Sequence, residues 1–561
     1  MLLIETILTL LAVALALLWP GTGGSFWKPI ESRFVRVARR RKFSVILVGT
    51  TALALRVALL PVLPIPKPAI HDEFSYLLAG DTFAHWRLTN PPHPMWVHFE
   101  TFHVIQQPTY ASMYYPAQGM FLAAGQIIFH HPFWGVWLSC GLMCAAICWM
   151  LQAWVGPVWA LLGGMLAVIR IAAFSYWDNS YWGGAVAALG GALILGALPR
   201  VMRSERSRDA VIMGLGVALF VNSRPYETVF FMLPVIAVFA AWIFRKRSSL
   251  IFSRVVLPLA IVLLATATFM AYYNWRTTGS ILRSPYFVNL ATYNSVPYFP
   301  WQQIKAPVPY HHATMQDFYL RWWLLQFQFG RLHPGMIALL KTYLFWAFFL
   351  GPLLTLPLLL ALLKSPSTLS FRQLRFRTRF LLCVCGFALL GAALPVYFNP
   401  HYIAAITCAI YAFELIALQQ LRRWTFRGRN FGLPILRAVP VFALSLLSVR
   451  ILSPALHIPN SYAPATWCSP EKENFDRAQI ISELSRQPGS HLIIVRYEPN
   501  HTFSNEWVYN GADIDGSKVI WARDMGEEEN KELLQYFSQR RAWLVEPDAK
   551  PVRLQPYSEA N

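Results

Sequence analysis

Two adjacent carboxylates, Asp72 and Glu73, open the stretch HDEFSYLLAGD, which begins just after a long apolar run ends. A carboxylate at the outer surface of a membrane can take a proton from an acceptor hydroxyl as a general base, or hold a divalent cation such as Mg or Mn through oxygen ligands. The plainer reading is a helix start: Phe74, Leu77, Leu78 and Asp81 share a face suited to lying along a membrane surface, and acids favour the positive end of the helix dipole. That accounts for one acid better than for two, beside His71 and in a loop with little other charge. A third acid, Asp178 in FSYWDNSYWGG, stands in a short loop among Tyr176, Trp177, Tyr181 and Trp182. An interfacial aromatic belt would account for it equally well. Asp72, Glu73 and Asp178 are thus the candidate catalytic acids and the candidate cation ligands.

A reaction that releases a lipid-linked phosphate also needs cations. Arg224, in VNSRPYE, falls between two short apolar runs with Glu227 three residues on. It could grip phosphate in bidentate fashion, or pair with Glu227 to support the turn. Arg283 is a weaker candidate in a long loop that also carries Arg276, Arg321 and Arg331. In PVPYHHATMQDFYLRWWLLQFQFG, His311 and His312 invite a zinc assignment, but adjacent histidines diverge on most backbones and no third ligand is marked. This stretch reads as a loop over a cavity, with aromatic faces suited to sugar or lipid stacking, and an ordinary interfacial aromatic belt accounts for it equally well. His71, Tyr76, Tyr115, Trp177, Tyr226, His311 and His312 form the expected substrate lining.

The elements that must carry these residues follow from composition. The chain has 561 residues, of which 56% are hydrophobic and only 14% charged. Apolar stretches long enough to cross a bilayer as helix, roughly 17 to 25 residues, recur as far as Leu452. The net charge of +20 is concentrated in five clusters between those stretches, at 28–42, 200–208, 245–254, 364–379 and 422–437. Short basic loops stay in the cytoplasm, so this charge speaks for membrane orientation and against nucleic-acid binding. The loops that face outward hold the candidate residues. The expected fold is mostly α: a polytopic core of about 12–13 spans with a small C-terminal extracytoplasmic α/β domain. Its organisation is an anchor helix and basic cytoplasmic loop at 1–43, a transmembrane core at 44–454 with external loops at 64–116 and 274–336, and a soluble domain at 455–561. The stretch 117–131 is expected to be re-entrant or interfacial, since a full crossing would put the Arg200 cluster outside. In the last domain HLIIVRY, KVIWA and AWLVE read as strands and GEEENKELLQYFSQR as a helix. Cys140, Cys144 and Cys148 share a helical face and read as packing residues, and Arg56 and Arg170 as buried structural pairs.

This order of elements resembles the GT-C superfamily of membrane glycosyltransferases, especially the group with protein O-mannosyltransferases, aminoarabinose transferases and related bacterial sugar transferases. HDEFSYLLAGD looks like their first external loop. MYYPAQGMFLAAGQIIF is similar to the stretch that follows it, with Ala117 in place of a second proline. YWDNSYWGGAVAALGGALIL looks like the second external loop, and NPHYIAAITCAIYAFEL resembles a late element in which His401 stands where Arg is frequent. The resemblance implies an inverting transferase that moves a sugar from a polyprenyl-phosphate donor to a glycan, lipid or protein acceptor on the extracytoplasmic side. It further implies a multi-pass protein of the bacterial inner membrane with its site towards the periplasm, a first-loop base at Asp72 or Glu73, a second-loop acid at Asp178, and phosphate contacts from Arg224, Arg283 and His401. A polytopic transporter or flippase of a lipid-linked or saccharide substrate is the alternative. It would be expected to show repeated halves and ionisable residues within its spans.

Overall fold

The computed structural model describes residues 1–18, 24–246, 248–364, 374–426, 428–458 and 466–557. Arg247, Arg372 and Arg427 of the basic clusters lie outside the described residues, as do 459–465 and 558–561 of the expected C-terminal domain. Among the described residues eight helices are long and apolar enough to cross a membrane: Phe133–Trp154, Ala185–Ser204, Pro225–Lys246, Ser249–Thr278, Pro334–Lys364, Phe376–Ala393, Pro400–Leu421 and Gly432–Leu452. Leu2–Leu18, Arg41–Ala58, Pro157–Ile171 and Ser207–Val221 are shorter or more polar helices of the same bundle. These helices fall along the chain as a core of about 12–13 spans would require.

Two buried cations brace this bundle. Arg170 Nη1 donates to Glu5 Oε1 at 2.7 Å, and the other oxygen of Glu5 accepts from Trp467 Nε1 at 2.9 Å. The first helix is thereby tied to the segment that follows the last. Arg56 donates to the carbonyls of Leu63 and Pro64 at 2.9 and 3.1 Å. This hold turns the chain sharply after Ala58, where the helix Arg41–Ala58 ends.

The basic stretch near the N-terminus, expected as a loop, is a helix over Gly24–Arg39. Arg33, Arg36, Arg39 and Lys28 alternate with Phe34, Val37 and Ala38 at helical spacing, so an amphipathic helix forms there. The stretch 117–131 is helical as far as residue 129, in the helix Pro116–Phe129. Its 14 residues span about 21 Å, too short to cross a bilayer core of about 30 Å. It crosses the helix His71–Ala84 at close range: a Cβ on Gly80 would lie 2.7 Å from Leu122 Cβ, and one on Gly119 2.7 Å from Ala79 Cβ. Glycine is required at both positions for the two backbones to approach.

The C-terminal unit is a four-stranded sheet in the order Val519–Arg523, His491–Val495, Arg541–Glu546, Arg553–Pro556. The first three strands are parallel and the last antiparallel. The helices Phe475–Arg486 and Glu527–Tyr536 pack on it, so the three expected strands and the acidic helix form as read. This unit is not an isolated appendage. Leu78, Phe99, Val104 and Tyr110 of the first external loop share one apolar core with Leu492, Ile494, Ile520, Leu533 and Phe537 of the sheet unit. Asp81 Oδ2 accepts from the Ala512 amide at 2.7 Å. The helix His71–Ala84 is therefore enclosed by protein along most of its surface rather than laid on a membrane surface.

Candidate active site

Asp72 stands in the first turn of the helix His71–Ala84, with 19% of its side chain exposed. Its Oδ1 accepts a hydrogen bond from Tyr114 Oη and lies 3.7 Å from His103 Nδ1. Tyr114 Oη is also 3.1 Å from His103 Nδ1, so the three groups form a closed triangle. Local structure holds His103 in place. Its backbone is left-handed at φ 59°, an uncommon state for a non-glycine residue. The Ser75 hydroxyl donates to its carbonyl at 2.6 Å and the Met113 amide at 3.0 Å, and these bonds stabilise the strained turn. The short strand pair Val104–Ile105 and Ala111–Ser112 brings Tyr114 back onto the helix, where its ring stacks on Tyr76 at 4.4 Å. Burial pushes the Tyr76 phenol up to about 12, so it acts as a neutral hydrogen-bonding group at neutral pH.

Arg224 lies on the other side of the same tyrosines. Its guanidinium sits 4.8 Å from the centre of the Tyr402 ring, and the charges of both Asp72 and Arg224 act on the Tyr76 and Tyr402 hydroxyls. Among the described residues the guanidinium makes no hydrogen bond and no ion pair, with Glu227 or any other acid. Its turn is anchored by the Ala117 amide, which donates to the Asn222 carbonyl at 3.0 Å and so joins it to the helix Pro116–Phe129. His401 adjoins this wall through its neighbour Tyr402, but it is buried: Nδ1 is 2.9 Å from Tyr176 Oη and the ring packs edge-on to Trp182 at 4.7 Å.

The other acids are engaged elsewhere. Glu73 is buried and accepts three backbone N–H groups, from Ala69 at 3.0 Å, Ile70 at 3.1 Å and Tyr181 at 3.1 Å. It staples the second external loop to the first. Burial pushes its carboxyl up to about 8 against the pull of those donors. Asp178 is enclosed by protein with Oδ2 4.0 Å from Arg56 Nε, and burial raises its carboxyl to about 8. Among the described residues no hydrogen bond or ion pair joins Asp178 to Asp72 or Glu73.

A cation would find a different ligand set from the expected Asp72, Glu73 and Asp178. One ligand atom each of His71, Asp72 and His103 lie within 4.8 Å of one another, and the buried His71 Nδ1 has no hydrogen-bond partner. Two imidazoles and a carboxylate suit a borderline metal such as zinc better than magnesium, which prefers an all-oxygen shell. These residues fit such an ion.

The remaining expected positions disperse. His311 and His312 converge on Glu100 rather than on the Asp72 cluster, at 2.9 and 3.6 Å, and fasten the long external loop to the first one. Trp177 is fully buried against Phe348 and Phe349. Tyr226 Oη donates to the Gly391 carbonyl, Tyr115 Oη lies 3.3 Å from Ser284 Oγ, and Arg283 is exposed beside that serine. Sequence reading missed His103 and Tyr114. His103 carries no local signal, whereas Tyr114 lies in the quoted MYYPAQ stretch one residue before the tyrosine that was chosen.

No family model matches the chain, and no curated protein does. Among solved structures it is similar to the oligosaccharyltransferase of Archaeoglobus fulgidus tethered with an acceptor peptide, at 10% identity over 90% of this chain and 68% of that one, with a TM-score of 0.45. It is also similar to ArnT from Cupriavidus metallidurans bound to undecaprenyl phosphate, at 12% identity over 90% of this chain and 92% of that one, again with a TM-score of 0.45.

Proposed function

We propose that this protein is an inverting glycosyltransferase that moves a sugar from a polyprenyl-phosphate donor to an acceptor hydroxyl on the extracytoplasmic side of a bacterial inner membrane. The observation that carries this reading is the placement of a partly exposed Asp72, oriented by Tyr114 and His103, with an Arg224 whose guanidinium makes no hydrogen bond among the described residues, across the Tyr76 and Tyr402 wall. Glycosyl transfer passes through an oxocarbenium-like state in which the nucleophile loses a proton and the leaving group gains negative charge. Asp72 takes the proton of the acceptor hydroxyl as that oxygen bonds to the anomeric carbon. The bond from that carbon to phosphate oxygen breaks, and Arg224 receives the phosphate charge. Tyr114 and His103 keep the carboxylate aimed. His71, Asp72 and His103 would hold a divalent cation, which would supply positive charge beside the acid. The acceptor arrives at the end of the bundle that carries both external loops and the C-terminal unit, and the basic clusters mark the cytoplasmic end.

The test is transfer in proteoliposomes with a radiolabelled polyprenyl-phosphate sugar. Asp72→Asn is expected to lower turnover about 10²- to 10⁴-fold, and Arg224→Ala to impair donor use. Donor flux across the vesicle without transfer would favour the transporter or flippase reading. Full transfer in Asp72→Asn would end the proposal.

A further inference from the structure

One place where the C-terminal sheet unit approaches the candidate site is the loop that leaves the carboxyl end of the strand His491–Val495. In open sheets of parallel strands, ligands sit in the crevice outside those carboxyl ends. Here the loop is firmly braced. Tyr497 Oη donates to Glu506 Oε1 at 2.6 Å, Arg523 Nη2 donates to Glu506 Oε2 at 2.8 Å, and His501 Nδ1 lies 2.8 Å from Asp548 Oδ1. At its tip Phe503 approaches His71 at 6.5 Å between ring centres, Phe318 at 5.2 Å and Trp322 at 5.5 Å.

Phe503 belongs to a ledge built from three separate parts of the chain. Trp322 lies parallel to Phe318 at 5.5 Å, within 9°, and close to parallel with Tyr397 at 6.4 Å, within 19°. Phe318 is buried, whereas Trp322, Tyr397 and Phe503 are only half-buried. The Trp322 indole N–H makes no hydrogen bond among the described residues. Exposed hydroxyls of Thr502 and Ser504, 3.1 Å apart, flank Phe503. Half-buried aromatic rings edged with exposed hydroxyls match a sugar ring, whose C–H face packs on the negative π-face while its hydroxyls find the polar edge. An extended peptide would instead call for an open strand edge, and the strand that delivers this loop is paired on both sides.

We propose that Trp322, Tyr397 and Phe503 form an acceptor subsite for a carbohydrate ring, so that the C-terminal unit takes part in choosing the acceptor. Calling the bound sugar an acceptor rests on the transferase reading above. The subsite itself rests on the ledge.

The experiment is saturation-transfer NMR on the full chain in nanodiscs. Aromatic protons are irradiated and the signal is read on maltotriose, on vesicles with monoglucosyl diacylglycerol, and on a short serine-containing peptide. Saturation is expected on sugar C–H protons, and a response to only one of the first two probes tells free glycan from glycolipid. Phe503→Ala and Trp322→Ala are each expected to weaken saccharide binding roughly three- to tenfold. Trp322→Phe should keep most of it. Trp86→Ala, which removes an aromatic that is 88% exposed, should change nothing. Donor hydrolysis by water should survive in both alanine variants, because it needs Asp72 and Arg224 but not the ledge. Hydrolysis retained with saccharide binding unchanged in both variants would overturn the subsite while leaving the transferase reading intact. Saccharide binding lost in the variants, with no donor turnover in the parent, would leave a sugar site and remove the transferase. Saturation of the peptide alone would also overturn the proposal.

Discussion

Arg56 and Asp178 offer a sharp separation of a structural role from a catalytic one. Both are enclosed by protein, with Nε and Oδ2 4.0 Å apart, and the guanidinium also caps two carbonyls at the turn after Ala58. Replacing Arg56 by Met removes two charge-assisted hydrogen bonds, at about 1.5–3 kcal/mol each, together with the counter-ion of a buried acid. The Asp178 carboxyl already sits near 8 with the arginine present, so it is largely protonated at neutral pH and losing the arginine leaves no isolated charge behind. The cost is then mainly that of the two lost hydrogen bonds, about 3–5 kcal/mol in all. Asp178→Asn is isosteric with the protonated acid and should cost no more than about 1 kcal/mol. The double variant should be less damaged than the sum of the two, by about 1–2 kcal/mol, because neither group is left facing a vanished partner. Thermal unfolding of the full chain in nanodiscs gives the stabilities, and transfer assays on the same preparations give the activities. If Asp178→Asn keeps its stability and loses transfer a hundredfold or more, the structural reading of Asp178 is wrong and the second-loop acid belongs to the chemistry.

Glu73→Gln should behave in the opposite way to Asp72→Asn: with one oxygen fewer to receive three backbone N–H groups, it should lose about 1–3 kcal/mol of stability, and its transfer should fall only as the folded fraction falls. Tyr114→Phe removes the hydrogen bond that aims Asp72, so kcat should drop with KM for the donor little changed. Gly135→Ala places a Cβ 1.9 Å from the Phe121 carbonyl oxygen; backbone cannot yield there, and unfolding should come at least about 2 kcal/mol earlier. In the C-terminal unit burial alone would raise the Asp524 carboxyl, but hydrogen bonds from Arg496 and Asn530 hold it below the usual carboxylate range. A depressed folded value means that its stabilisation is complete above the unfolded value of about 4 and fades as pH falls through the folded one. Amide exchange over Val519–Arg523 should therefore quicken in that acid window, and Asp524→Asn should flatten the response.

Sequence alone determined where the apolar helices fall along the chain, because a bilayer forces each crossing to be a long apolar run with its own backbone bonds closed. It also determined the strands and acidic helix of the C-terminal unit, whose β-rich and helical patterns are local. Asp72 was legible for a similar reason: an acid at the first turn after an apolar run carries its context beside it. Which acid faces a site was not legible. Asp72, Glu73 and Asp178 look alike in the chain, and only packing shows Glu73 fastened to three amides, Asp178 opposite Arg56, and Asp72 left partly open. His103, Tyr114 and Phe503 reach His71 and Asp72 through a strained turn, a two-residue strand pair and a loop more than four hundred positions away. Such partnerships depend on the distance between side chains in space, and spacing along the chain holds no record of that distance.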